Sequence, residues 1–145
     1  MSTRPSPDVR TTSDAELTER WAALLQLDGP PVRRSLWLTW LRRDGTMVPL
    51  LIPVDDVPLE PDREVLGNLT LLHQTVAGSE DVDPGELHLA MLVERRGPAG
   101  LSPDDHAWSS AVEAVLRDRA GLDCSLHVGN GRAAVSVLPR GQWPA

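Results

Sequence analysis

Few side chains of this chain could do chemistry, and they are scattered. Glu94, Arg95 and Arg96 form one acid and two bases ahead of the loop Gly97-Pro98-Ala99-Gly100. The histidines are His73, His88, His106 and His127, and Cys124 is the single cysteine. Glu94 and His106 are the candidates to move a proton, with Arg95 and Arg96 as the clamp for an anionic ligand. A second grouping would gather His88, Glu94 and His106 around a metal ion. Their spacing matches no metal-binding pattern, so no metal ligand and no cofactor is expected. Cys124 and His127 are three residues apart, which on a strand sends them to opposite faces. That suits a buried structural thiol better than a nucleophile and its base.

These residues need elements to hold them, and the pattern supplies them. Ser13 and Glu16 have capping-box spacing and open a helix to about residue 27, with Leu17, Trp21, Leu24 and Leu25 on one face. Asp28-Gly29-Pro30-Pro31 ends it. Ser35 to Leu41 reads as a strand, Asp44-Gly45 as a tight turn, and Met47 to Val54 as the returning strand. Pro49 and Pro53 put that returning strand at a sheet edge. A helix over 62–77 has Asp62 as its N-cap and an apolar stripe of Val65, Leu66, Leu69, Leu72 and Val76; Gly67 within it suggests close packing on the sheet. Leu87 to Val93 is almost continuously apolar, as in a strand covered on both faces. Ser102-Pro103-Asp104-Asp105 then opens a helix whose inner face carries Trp108, Ala111, Val112, Val115 and Leu116. Cys124–Val128 and Ala133–Leu138 close the chain as a hairpin across Gly129-Asn130-Gly131.

The order α-β-β-α-β-α-β-β predicts an α/β fold: a single mixed β-sheet flanked by helices, in one domain over 13–140. A disordered N-terminal tail is expected over 1–12 and a C-terminal tail over 141–145. Of the tryptophans, Trp37 and Trp40 alternate across their strand, and Trp143 lies near the end; these three are the candidate interface anchors, although Trp143 folding back onto the sheet is the favoured alternative. Arg pairs occur at Arg33-Arg34, Arg42-Arg43 and Arg95-Arg96. The first two flank one strand, so only Arg95-Arg96 is expected at the strand-to-helix loop.

Composition narrows the function classes. All 14 basic residues are arginine, and the net charge is −7. The missing lysine, together with one isoleucine, reads as coding bias of a GC-rich bacterial genome. The negative charge argues against nucleic-acid binding. One cysteine excludes an intrachain disulfide. No apolar run reaches the roughly 20 residues of a membrane span, and no signal region is visible, so a cytoplasmic protein with no membrane association is expected.

The stretch LAMLVERRGPAGLSPDDHAW, followed by CSLHVGNGRAAVSVL, resembles the JAB (JAMM) metalloprotease-like family in its bacterial RadC-type branch. There an apolar strand leads into H-x-H-P, a Gly/Pro loop, and S-x-x-D at a helix start. The resemblance covers residues 86 to 140 and implies a JAB/cytidine-deaminase-like sandwich. The family's metal ligands are missing. Glu94 and Arg96 stand at the two histidine positions, the serine falls near Asp104 and the aspartate near Ala107. Arginine cannot ligate zinc and repels it. The resemblance therefore implies a metal-free, degenerate member without JAMM peptidase activity. The expected function is a non-catalytic interaction or regulatory domain with a protein partner or a second copy of itself. The alternative is a small enzyme or anionic-ligand-binding domain using Glu94, Arg95, Arg96 and His106.

Overall fold

The computed structural model describes residues 9–25 and 29–144. Its elements are α1 (Asp14–Leu25), β1 (Ser35–Leu41), β2 (Ile52–Asp55), α2 (Arg63–Ser79), β3 (His88–Glu94), α3 (Pro103–Val112), β4 (Cys124–Gly129) and β5 (Ala134–Leu138). A wider π-helical stretch, Glu113–Arg119, continues α3. The strands form one mixed five-stranded sheet in the order β2-β1-β3-β4-β5. β3 and β4 are parallel, and every other neighbouring pair is antiparallel. The α/β class and the element order expected from the sequence are observed.

Strand alternation divides the core into two layers. On one face Leu36, Leu38, Trp40, Leu89, Met91, Val93, Cys124 and Leu126 pack against Leu66, Leu69 and Val76 of α2 and Trp108, Val112 and Leu116 of α3. On the other, Leu41, Ala90 and Leu92 pack against Leu17, Trp21 and Leu24 of α1. β3 is buried along nearly its whole length because helices cover both its faces. Trp37 and Trp40 do face opposite layers.

Several local expectations are met with their chemistry. Asp62 accepts from the Glu64 amide and caps α2. Ser102 and Asp105 form a reciprocal capping box on α3. At α1 the Ser13 hydroxyl accepts from the Glu16 amide at 3.1 Å, but the Glu16 carboxylate turns to the Thr12 amide.

Other expectations change. β2 is an edge strand, yet it begins only at Ile52. Met47 makes an isolated bridge to Leu41, the ladder breaks around Pro49, and the Thr39 hydroxyl bonds the Leu50 carbonyl in its place. The first eight residues of the tail expected over 1–12 lie outside the described residues. Thr11, however, is buried and donates its amide to Gly45 O at 2.8 Å. His73 takes a buried place in α2, its Nδ1 accepting from Trp40 Nε1 and its Nε2 donating to Pro84 O. The interface role suggested for Trp40 falls, because that ring is fully buried. No helix among the described residues is long and apolar enough to cross a membrane.

Gly67 is exposed, and a Cβ there would meet nothing within 4 Å, so it does not mark close packing. Gly131 is the opposite case: its φ is +88°, and a Cβ would lie 1.7 Å from Gly29 O. Gly67→Ala should therefore raise stability by about 0.5–1 kcal/mol, while Gly131→Ala lowers it. Urea unfolding of the two variants reads both signs.

Candidate functional site

The loop from Arg95 to Leu101 is organised by one buried side chain. Arg95 reaches Asp105 with Nε at 3.0 Å and Nη2 at 2.6 Å. Its other donors go to the carbonyls of Arg96, Pro98 and Gly100. All five donors of the guanidinium are thus engaged within its own loop. Asp105 also accepts from the Ser102 amide at 2.8 Å, so the same carboxylate closes the loop and caps α3. Burial pushes its pKa up, but the Arg95 and Ser102 hydrogen bonds outweigh it and hold the carboxyl below its usual range. The ligand-binding role expected for Arg95 is corrected accordingly: no donor is left for a ligand.

The remaining predicted residues disperse. Glu94 accepts from Trp37 Nε1 at 3.2 Å. Trp37 and Trp143 are both half-buried and pack against the α1 layer, so neither stands free as an anchor; Trp143 folds back onto the sheet. His106 is exposed on the first turn of α3. His88 sits at the opposite end of β3 from Glu94, about 20 Å away at strand rise. His88, Glu94 and His106 therefore do not converge. Among the described residues, no group of three His, Cys, Asp or Glu side chains could hold a metal ion. Asp104 and Ala107, which the resemblance would set at a serine and a ligand position, are exposed. Cys124 is buried in the α2/α3 layer, and burial pushes its thiol up to about 12, so it is no nucleophile at neutral pH.

What the strand pairing does assemble is a set of arginines. β1 runs antiparallel to β3 with Ser35 opposite Glu94. Arg33-Arg34, just before β1, therefore lie beside Arg95-Arg96, just after β3. The expectation that only one pair occupies this end is overturned by strand direction. The four arginines line a cleft of about 410 Å³, completed by Val32, Leu59, Pro98, Ser102 and Asp104. It opens beyond the carboxyl end of β3, where open α/β sheets commonly bind ligands.

The arginines of the cleft are not equivalent. Arg33 pairs with Asp55 at 3.5 Å. Arg96 is exposed and engages only Nε, at Pro31 O. Arg34 is half-buried and engages only Nε, at Pro58 O, while its Nη2 is buried without a partner among the described residues. Burial lowers its pKa, and the nearby Asp105 and Asp104 charges work against that. The wall bearing Leu59 is fixed by Trp108 Nε1, which donates to Leu59 O at 2.9 Å and Pro58 O at 3.2 Å. Across the loop, Asn130 Nδ2 donates to Gly97 O at 3.0 Å.

A second polar group lies under α1, and the sequence offered no signal for it beyond two histidines of matching parity on adjacent strands. His88 Nε2 is 2.8 Å from Ser125 Oγ, and its Nδ1 is 3.1 Å from Asp123 Oδ1. The chain of contacts has the form of a serine–histidine–aspartate triad. The Nδ1 contact, however, is close without proper hydrogen-bond direction. His88 and Ser125 are both fully buried, the Trp143 ring lies 6.0 Å from the imidazole, and Arg140 occupies Asp123 at 2.6 Å. No carbonyl substrate can reach Ser125 Oγ, so the group is structural. Beside it Thr18 donates to Asp14 O and therefore accepts from His127 Nε2 at 2.7 Å. Burial holds His127 neutral with its pKa pushed down to about 4.

Comparison with known family models, with curated proteins and with solved structures returns no match.

Two outcomes follow from these buried groups. Asp105→Ala leaves Arg95 charged and unpaired in the loop and should cost on the order of 3–5 kcal/mol in urea unfolding at pH 7. His127 protonates more readily unfolded (near 6.5) than folded (about 4), so the unfolded state gains protons first as pH falls. Stability should drop by up to roughly 3 kcal/mol between these values. His127→Gln flattens that decline, and an unchanged slope would remove His127 as its source.

Proposed function

We propose that this chain is a non-catalytic binding domain on a JAB/RadC-like plan, and that it takes an anionic ligand in the arginine-lined cleft beyond β3. Arg34 carries the reading. Its guanidinium is partly withdrawn from water with one donor engaged and no carboxylate partner among the described residues. A cation held this way is costly, and an incoming anion offsets the cost. Arg96 adds a second guanidinium from the facing segment.

The catalytic half of the alternative lacks its groups. The cleft lining contains neither imidazole nor Glu94. Glu94 is committed to Trp37, and His106 stands on the solvent side of α3. On the JAB/RadC-like reading the zinc positions hold Glu94, Arg96 and Ala107, a set that cannot enclose a divalent cation. Binding without turnover is what remains, in keeping with an interaction or regulatory role.

The test combines two measurements. Thermal shift with sulfate, phosphate, acetate and N-acetylleucine should give saturable stabilisation of the wild type by at least one anion. Arg34→Gln and Arg96→Ala, each checked for native circular dichroism, should lose most of it. Purified protein should carry no stoichiometric zinc and leave isopeptide substrates uncut. Equal stabilisation of both variants, or zinc-dependent hydrolysis, would overturn the proposal.

A further inference from the structure

We infer that the cleft is built for a monocarboxylate bearing an apolar side group and an N–H beside the carboxylate, the chemistry shared by a free apolar amino acid and the last residue of a chain. The inference rests on the reading that Arg34 and Arg96 hold an anion and goes on to the rest of the ligand.

Three features of the lining specify it. The first is charge. Asp104 lines the same cleft as Arg34 and Arg96, is exposed, and has no ion-pair partner among the described residues. It lies close enough to Arg34 to act on that guanidinium's charge. A phosphate dianion would suffer repulsion from Asp104, whereas a carboxylate with a neighbouring ammonium or amide N–H uses both signs.

The second is the apolar rim. Among the described residues five large hydrophobics are exposed, and two of them, Val32 (86% exposed) and Leu59 (59%), line this one cleft with Pro98. Leu59 is held there by the Trp108 indole. An inorganic anion has no use for such a rim, while an apolar side chain buries it.

The third is size and a further donor. A volume of about 410 Å³ is at the small end of the roughly 300–1,000 Å³ of small-ligand sites. Ser102 Oγ accepts from the Asp105 amide, which leaves its hydroxyl proton free to donate into the cleft.

Titration calorimetry at low salt separates the outcomes, using leucine, leucinamide, N-acetylleucine, Gly-Gly-Leu, its C-terminal amide, and inorganic phosphate. Leucine or Gly-Gly-Leu should bind, and both amides should not. Phosphate should bind at least about tenfold more weakly than the better carboxylate, and Asp104→Asn should narrow that gap by roughly tenfold. Preference for leucine over Gly-Gly-Leu identifies the free amino acid, and the reverse identifies a chain terminus. Asp104 is an exposed first-turn residue whose replacement by Asn leaves the fold intact, so a null effect is interpretable. If phosphate binds as tightly as the carboxylates, or the amides bind equally well, this inference falls while the anion-binding reading stands. If nothing binds, or Arg34→Gln and Arg96→Ala change nothing, both fall.

Discussion

The ion pair between Arg95 and Asp105 governs the functional end of this molecule. One carboxylate serves two masters: it neutralises a buried guanidinium and completes the N-terminal cap of α3. One guanidinium ties down three carbonyls of the Gly/Pro loop. The pair is nearly inaccessible to solvent, with side-chain exposures of 8% and 0%. A buried pair of this kind is weak as a source of net stability, because desolvation consumes most of its attraction. Its value here is geometric. It converts a glycine-containing loop into a defined wall, and that wall carries Arg96, Pro98, Ser102 and Asp104 into the cleft.

The two faces of the sheet were filled by different means. Under α2 and α3 the side chains are apolar and meet in one large cluster, with His73 as a polar member whose two ring nitrogens are both satisfied. Under α1 the layer mixes Trp21, Leu17 and Leu92 with His88, Ser125, His127 and Thr18. The C-terminal segment closes that layer. Arg140 bonds Asp123 with its side chain and Asp14 with its amide, and the Trp143 ring lies 4.7 Å from its guanidinium carbon. Arg117 adds bonds to the carbonyls of Cys124 and Pro139. The segment expected as a tail is thus part of the packing.

The cleft lies beyond the carboxyl end of β3, while His88 and its contacts to Ser125 and Asp123 lie at the strand's start. His88 and His127 are sealed beneath α1 and Trp143, His73 is buried in α2, and His106 is exposed on α3 outside the cleft lining. The guanidiniums are gathered at the other end with one carboxylate, Asp104, and no imidazole in the lining. The proposed binding of an anion therefore concerns the arginine end of the sheet and not the buried histidines.

Much of the secondary structure was legible because its causes are local. Asp62 and Ser102 cap helices through their own amide neighbours, Ser35–Leu41 alternates to face two layers, and Pro53 lies in the edge strand β2. The opposite-facing placement of Cys124 and His127 also follows from strand geometry alone. The site was not legible in the same way. Arg33 and Arg34 are some sixty residues from Arg95 and Arg96, and only the antiparallel pairing of β1 with β3 sets them side by side. Arg95 reads as a free cation in the chain and becomes a saturated one only when Asp105 folds back onto it. His88, Ser125 and Asp123 meet because β3 and β4 run parallel in one register. Sequence determined the order of the elements and what their faces carry, since capping, alternation and turn chemistry act over a few residues. Which charges end as neighbours, and which are spent on one another, depended on strand direction and register, which no local rule encodes.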